Sequence, residues 1–315
     1  MLQFTTNVML GSSSKNSSAH EILERIYRKG QIQQWVPEQE LSWQHQLNDD
    51  NPLAMPDGNL PIAGTEIWDR LPGPERTEVR KQFQSWQISQ IYHGEQASLL
   101  CAAKIALTAP DQETKKCLAL QVADEARHSD IFSKLIETKM PYRFAMSPVL
   151  KSIFESALCA PDYDYASIGM QILVEGMALG FFKAIQAHSS DEFIRKLHTL
   201  VLRDEARHFA VGRVSLAEFY RDASTHEKAM REEYIVECCH GLSEHLCADE
   251  VWEAIGFSRQ ECAKYVRKSR LTAEMRRSLF RRIVPSVASI GLLGPETTRY
   301  FTSIDMIDYA HYPIN

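Results

Sequence analysis

The pentapeptide Asp124-Glu-Ala-Arg-His128 recurs unchanged as Asp204-Glu-Ala-Arg-His208, with one numbering offset for every member (204 − 124 = 80). A glutamate precedes each copy at one matched distance: Glu95 stands before Glu125 (125 − 95 = 30) as Glu175 stands before Glu205 (205 − 175 = 30). Glu95, Glu125, His128, Glu175, Glu205 and His208 thus form a duplicated set of four carboxylates and two imidazoles. Carboxylate oxygen and imidazole nitrogen suit iron or manganese, whereas zinc usually takes fewer ligands. Two divalent cations would neutralise the four negative charges. Gathered in an interior without them, the carboxylates would be a costly like-charge cluster. A single Glu-x-x-His is common on a solvated helix face and carries little weight. Two copies, each with its upstream glutamate, are not explained by chance. Their flanks are apolar as well: Ala97, Leu99 and Ala102 follow Glu95, and Met177, Ala178 and Leu179 follow Glu175. Solvated faces are not composed in that way.

Such a set has to be carried by helices that return to the same height. Successive residues of an α-helix turn by about 100°, so positions i and i+3 lie roughly 60° apart and Glu125 and His128 share a face. Asp124 falls about 40° from His128 on that side, while Arg127 points away. Asp124 and Asp204 are therefore expected to accept the outer N–H of an imidazole, most naturally the one on the facing helix. The interval from each upstream glutamate to its partner is what an antiparallel helical hairpin needs to climb, turn and come back. Pro and Gly are dense over residues 1–75, which reads as an irregular extension packed on the bundle, with a short helix near Glu21–Lys29. Beyond it, apolar periodicity predicts helices at 76–108, 111–139, 147–158, 162–188, 190–222, 225–248, 258–269 and 272–290. Pro110 and Pro141 close the first two, and Pro285 is expected to kink or split the last. No strand is predicted. The fold class is all-α: a four-helix bundle core with additional helices, spanning 76–290, with a tail over 291–315 lying on it, in a single domain overall.

Composition excludes several classes of function. The 35 basic and 41 acidic residues give a net charge of −6 with no long run of either sign, which argues against a nucleic-acid surface. Cys101, Cys117, Cys159, Cys238, Cys239, Cys247 and Cys262 form no CxxC pair and no zinc-finger spacing, and they suit a reducing cytoplasm as small apolar residues. Met1–Lys15 lacks the basic-then-apolar order of a secretory signal, and no window is expected to approach an uninterrupted membrane span.

On these residues the chain resembles the ferritin-like di-iron oxygenases over roughly residues 75–290. Within them it is most similar to the para-aminobenzoate N-oxygenase family, on overall length, hairpin spacing and the stretch RRIVPSVASIGLLGP at 281–295. The resemblance implies a ferritin-like bundle, two iron ions (Fe2+/Fe3+) held by the six residues, and O2 as co-substrate. Manganese in one of the two sites is left open. In that family a further histidine ligand stands one turn before the second Glu-x-x-His glutamate, and here that position is Val201. His198 lies two turns before Glu205, about 10 Å along the helix axis, too far to stand in for it. The small subunit of ribonucleotide reductase is also similar, but its radical tyrosine would fall at Phe132. Acyl-carrier-protein desaturases share the paired motif, including the aspartate before the second copy. Ferritins have shorter chains, and rubrerythrins add a CxxC iron site.

What the resemblance implies is an oxidoreductase that activates O2 and oxidises a small organic substrate by N-oxygenation or hydroxylation. The alternatives are a desaturase-like enzyme acting on an acyl chain, and a metal-binding or ferroxidase protein with no organic substrate. Ile91, Ser98, Leu99, Gln121, Phe132, Gln171, Leu179, Phe182 and Val201, each within about two turns of a proposed ligand, are expected with His198 to wall a chamber for a largely apolar substrate. The chain carries no flavin, NAD or iron–sulfur motif, so electrons are expected from a separate reductase or ferredoxin, from peroxide, or from the substrate. A homodimer is left open.

Overall fold

In the computed structural model of this chain, residues 18–160 and 162–313 are described, and the reading of Met1–Lys15 falls outside them. Helix α1 (Ser18–Ile32) is followed by the short helices α2 (Pro37–Glu40) and α3 (Glu66–Arg70). The first hairpin is α4 (Gly73–Thr108) and α5 (Gln112–Lys139). After α6 (Pro148–Cys159), the second hairpin rises through α7 (Tyr163–Ser167), a π-helical turn at Ile168–Val174 and α8 (Glu175–His188), then returns as α9 (Glu192–Phe219). The chain continues through α10 (Thr225–His245), α11 (Asp249–Ile255), α12 (Arg259–Lys268), α13 (Arg270–Ser289) and α14 (Pro295–Ser303). The described residues contain no strand.

The sequence repeat is also a repeat of helix limits. Helices α5 and α9 have the same length, and their starts at Gln112 and Glu192 keep the offset of the pentapeptides (192 − 112 = 80). Each is started by an aspartate whose side chain accepts an amide three positions on: Asp111 from Thr114 at 2.7 Å and Asp191 from Ile194 at 2.9 Å. An oxygen at this position satisfies one of the amides that a helix start leaves without a partner. The ends of α4 and α8, at Thr108 and His188, keep the same offset (188 − 108 = 80). Apolar residues fill both ends of the space between the hairpins, Leu118, Leu173 and Leu216 in one cluster and Ile88, Phe132 and Val201 in another. The ligand-bearing turns sit between them.

Several expectations need correction. The helix expected at 162–188 is not uniform, because its middle is π-helical; such turns occur mostly as single-turn insertions near functional sites. Helices α11 and α14 were not foreseen. The latter gives the tail a fold of its own, because Glu232 on α10 accepts the amides of Glu296 at 3.0 Å and Thr297 at 3.3 Å at its start. Pro285 does not split α13, which runs unbroken from Arg270 to Ser289. Pro285 is buried beside Ile283, Val284 and Val287, and burial of that apolar face outweighs one lost backbone hydrogen bond. Tyr163–His188 is long and apolar enough, by length and composition, to cross a membrane, contrary to the expectation that no window approaches a span. Its most apolar window is 72% buried inside the bundle, where it carries Gln171 and Glu175. Helix α1 packs on α5 and α9, with Leu23 against Cys117 and Val211. All seven cysteines are unpaired, and of these Cys159 is exposed.

Candidate metal centre

Glu95 comes from α4, Glu125 and His128 from α5, Glu175 from the first turn of α8, and Glu205 and His208 from α9. None of the six is more than 6% exposed. They fall into two overlapping sets of donors, Glu95, Glu125, His128 and Glu205, and Glu125, Glu175, Glu205 and His208. Within each set one ligand atom per residue lies within 4.8 Å of all the others. Glu125 and Glu205 are common to both sets.

The imidazoles face inward through Nδ1. His128 Nδ1 lies 3.0 Å from Glu205, 3.3 Å from Glu95 and 3.8 Å from Glu125. His208 Nδ1 lies 3.1 Å from Glu125 and 3.6 Å from Glu205. The outer nitrogens are held by the aspartates in a crossed pattern: His128 Nε2 is 3.3 Å from Asp204 on α9, and His208 Nε2 is 3.1 Å from Asp124 on α5. Hydrogen bonds to charged acceptors at the far nitrogen set which ring atom faces a metal.

Around the aspartates lies a network that spacing alone did not reveal. Arg207 donates to Asp124 at 2.6 Å and to Asp204 at 2.9 Å. Arg127, expected to point away, folds back along its own helix and donates to Asp124 at 2.5 Å and to Asp204 at 2.9 Å, because its long side chain reaches past its own face. Trp35 Nε1 donates to Asp204 at 2.7 Å, and Gln34 donates to Asp124 at 3.0 Å. Both residues come from the link after α1, whose distance in sequence from the repeat concealed them. Gln121 donates to Glu125 at 3.0 Å and to Glu175 at 2.6 Å, and is itself bonded by Gln171 at 2.9 Å. Gln171 lies against Gly212 on α9, where a Cβ would come within 2.6 Å of the Gln171 side chain, so the close approach of the π-helical turn needs glycine.

The electrostatics match a cluster short of cations. Burial pushes Glu95 and Glu175 well above the usual carboxylate range, and the neighbouring Glu205 pushes them further. Burial also opposes ionisation of Glu205, but His208 and His128 outweigh it and bring it down to about 2. For the two imidazoles burial disfavours the charged form, yet Asp204, Glu205 and Glu95 around His128, and Glu125, Glu205 and Asp124 around His208, raise both. Asp124 and Asp204 are held below the usual range despite burial by the histidines, with Arg207 adding to the effect. Even so, His128 Nδ1, His208 Nδ1, Glu125 Oε2, Glu175 Oε2 and Glu205 Oε1 are buried without a hydrogen-bond partner. Buried polar atoms are rarely left so. Five on one cluster, all on donor atoms, fit cations held between them.

Beside the centre lies a narrow, partly open chamber lined by Glu95, Glu175 and Glu205 and by residues of α4, the π-helical turn, α8 and the end of α10. Of the residues expected to wall it, Ile91, Ser98 and Phe182 do so. Leu99, Gln121, Phe132, Gln171, Leu179, His198 and Val201 do not. Gln121 and Gln171 bond to the ligand carboxylates and to each other instead, while Val201 is packed in the apolar cluster with Phe132. His198 donates from Nδ1 to the Ile194 carbonyl at 2.8 Å and packs on the rings of Phe132 and Phe182. Trp86, Gln87, Gln90, Gly94 and His245, which were not foreseen, do line the chamber. Gln87, Gln90, Ile91, Gly94, Glu95 and Ser98 follow one helical stripe, a signal present in the sequence.

Two helical hairpins around a buried carboxylate–imidazole cluster define a ferritin-like bundle fit to hold metal. The profile of the family described as P-aminobenzoate N-oxygenase AurF matches residues 16–291, well over half of the chain, and the chain belongs to that family. No curated protein matches it.

Proposed function

We propose that this protein is a non-haem di-iron oxygenase that uses O2 to oxidise a small, largely apolar organic substrate by N-oxygenation or hydroxylation. The observation that carries the reading is the convergence of five unpartnered buried donor atoms beside an apolar chamber. Two ions would be held by the two donor sets, one by Glu95, Glu125, His128 and Glu205 and the other by Glu125, Glu175, Glu205 and His208. Two iron ions held there would supply the activation of dioxygen. Asp204 and Asp124 keep a proton on each outer imidazole nitrogen, so that the inner lone pairs face the cluster. Arg127, Arg207 and Trp35 hold those aspartates ionised and in place. The apolar walls of the chamber exclude water from the reacting substrate, and the chamber favours this reading over a storage protein, which would have no use for one. Electrons come from a separate reductase or ferredoxin.

Elemental analysis of the purified protein, with visible spectra taken under oxygen in the presence and absence of amine, aromatic and fatty-acid candidates, tests the proposal. Two iron ions per chain and substrate-dependent oxygen uptake are expected. Glu125→Ala or His208→Ala should empty at least one site; variants that keep two ions per chain, or iron oxidation indifferent to every substrate, would overturn it.

A further inference from the structure

The face of α4 that borders the chamber carries polar groups beyond those the metal centre uses. By helix rise, Gln87 stands about 12 Å before Glu95 along that face, toward the end of the chamber away from the ligand carboxylates. Gln90 is fully engaged: its Nε2 donates to the Ala145 carbonyl at 2.8 Å, and its Oε1 accepts from the Ser147 amide at 2.8 Å. Gln87 is different. It lines the chamber and is only 8% exposed, and its amide has no hydrogen-bond partner among the described residues. A ligand group that pairs with this amide makes hydrogen bonds that are modestly favourable on balance.

The surroundings of Gln87 say which groups would pair. Trp86 and His245 line the same chamber, their ring centroids 5.1 Å apart, together with Phe181 and Phe182. Ser147 Oγ accepts the Leu150 amide and lies 3.0 Å from His245 Nδ1. Burial pulls His245 down to about 4, so it is neutral near pH 7. Among the described residues that line the chamber none is Lys or Arg. The charges it contains are those of Glu95, Glu175 and Glu205, which bound cations would compensate.

We propose that the chamber takes an uncharged aromatic substrate whose far end carries a neutral hydrogen-bonding group, such as a carboxamide, read by Gln87, and that it discriminates against an aromatic carboxylate. This rests on the chamber being the substrate site of the oxygenase proposed above. A carboxylate at that end would give up its hydration and meet an amide and aromatic rings with no cation. A carboxamide can exchange two hydrogen bonds with Gln87, one in each direction.

Calorimetric titration of the full, metal-loaded chain without oxygen, using 4-aminobenzamide and 4-aminobenzoate, compares ligands of one shape that differ in charge. The benzamide should bind at least ~10-fold more tightly, reflecting the unpaired charge of the benzoate. Gln87→Leu should weaken benzamide binding by about 5- to 30-fold, the range of one or two lost hydrogen bonds, and leave the benzoate where it was. Gln87→Lys, which supplies a cation, should reverse the preference. Equal or tighter benzoate binding by the unaltered chain, benzamide affinity unmoved in Gln87→Leu, or no binding of either ligand would overturn the proposal. Heat of binding requires no turnover, so this selectivity and the oxygenase reading can fail separately.

Discussion

Gly94→Ala separates the space in the chamber from the stability of the helix that forms it. Gly94 sits in the interior of α4, immediately before Glu95, and lines the chamber. A Cβ added there meets no heavy atom within 4 Å. The substitution therefore removes the penalty of a helix-interior glycine, about 0.5–1 kcal/mol, without introducing a clash. For 315 residues the unfolding entropy scales to roughly 0.7 kcal/mol/K, so Tm should rise by only about 1 °C, and urea unfolding is the better assay. Gly212→Ala is the contrasting control. Its Cβ would lie 2.6 Å from the Gln171 side chain, and relieving that overlap between the π-helical turn and α9 should cost about 1–3 kcal/mol. The methyl group of Gly94→Ala should at the same time weaken the binding of ring-bearing ligands. A variant that is less stable than the parent, or equally stable with unchanged ligand affinity, would show that the space beside Glu95 is not where the structure has it.

Three further outcomes probe the surroundings of the centre. Asp204→Asn keeps the shape of the side chain but removes the charge that holds His128 Nε2, and metal affinity measured by chelator competition should fall by about 10- to 100-fold; an unchanged affinity would remove the aspartate from any positioning role. Trp35→Phe deletes a buried hydrogen bond to a charged acceptor and should cost about 1.5–3 kcal/mol in urea unfolding; a loss within ~0.5 kcal/mol, typical of surface substitutions, would show that the N-terminal link does not brace the site. Burial lowers His198 to about 4, below the ordinary value of 6.5, so its contribution is present above pH 6.5 and is lost as pH falls toward 4. The unfolding free energy of the parent should therefore drop more steeply over that interval than that of His198→Gln, and parallel curves would refute the assignment.

Which features were legible in the sequence follows from the range over which each is encoded. The hairpins could be read because one helical period and one glutamate-to-glutamate interval govern both the folding of a long helical pair and the height at which its carboxylates meet. The aspartate N-caps keep the same offset as the ligands, which shows that register is set at helix starts. Trp35 and Gln34 reach the aspartates from a segment 169 and 90 residues away in sequence, so no local period announces them. The chamber failed to follow helical spacing from the ligands for a different reason. Periodicity assigns a residue to a face but is blind to which end of that face is filled, so Phe132 and Val201, correctly placed near ligands, went into packed core. What distinguishes the open end is composition along the α4 stripe before Glu95, where Gln87, Gln90 and Gly94 occupy positions that a purely structural bundle would give to Leu or Ile. A polar or glycine stripe continuing one way from a buried carboxylate is thus a readable mark of a cavity, and in this chain it points from Glu95 toward Gln87.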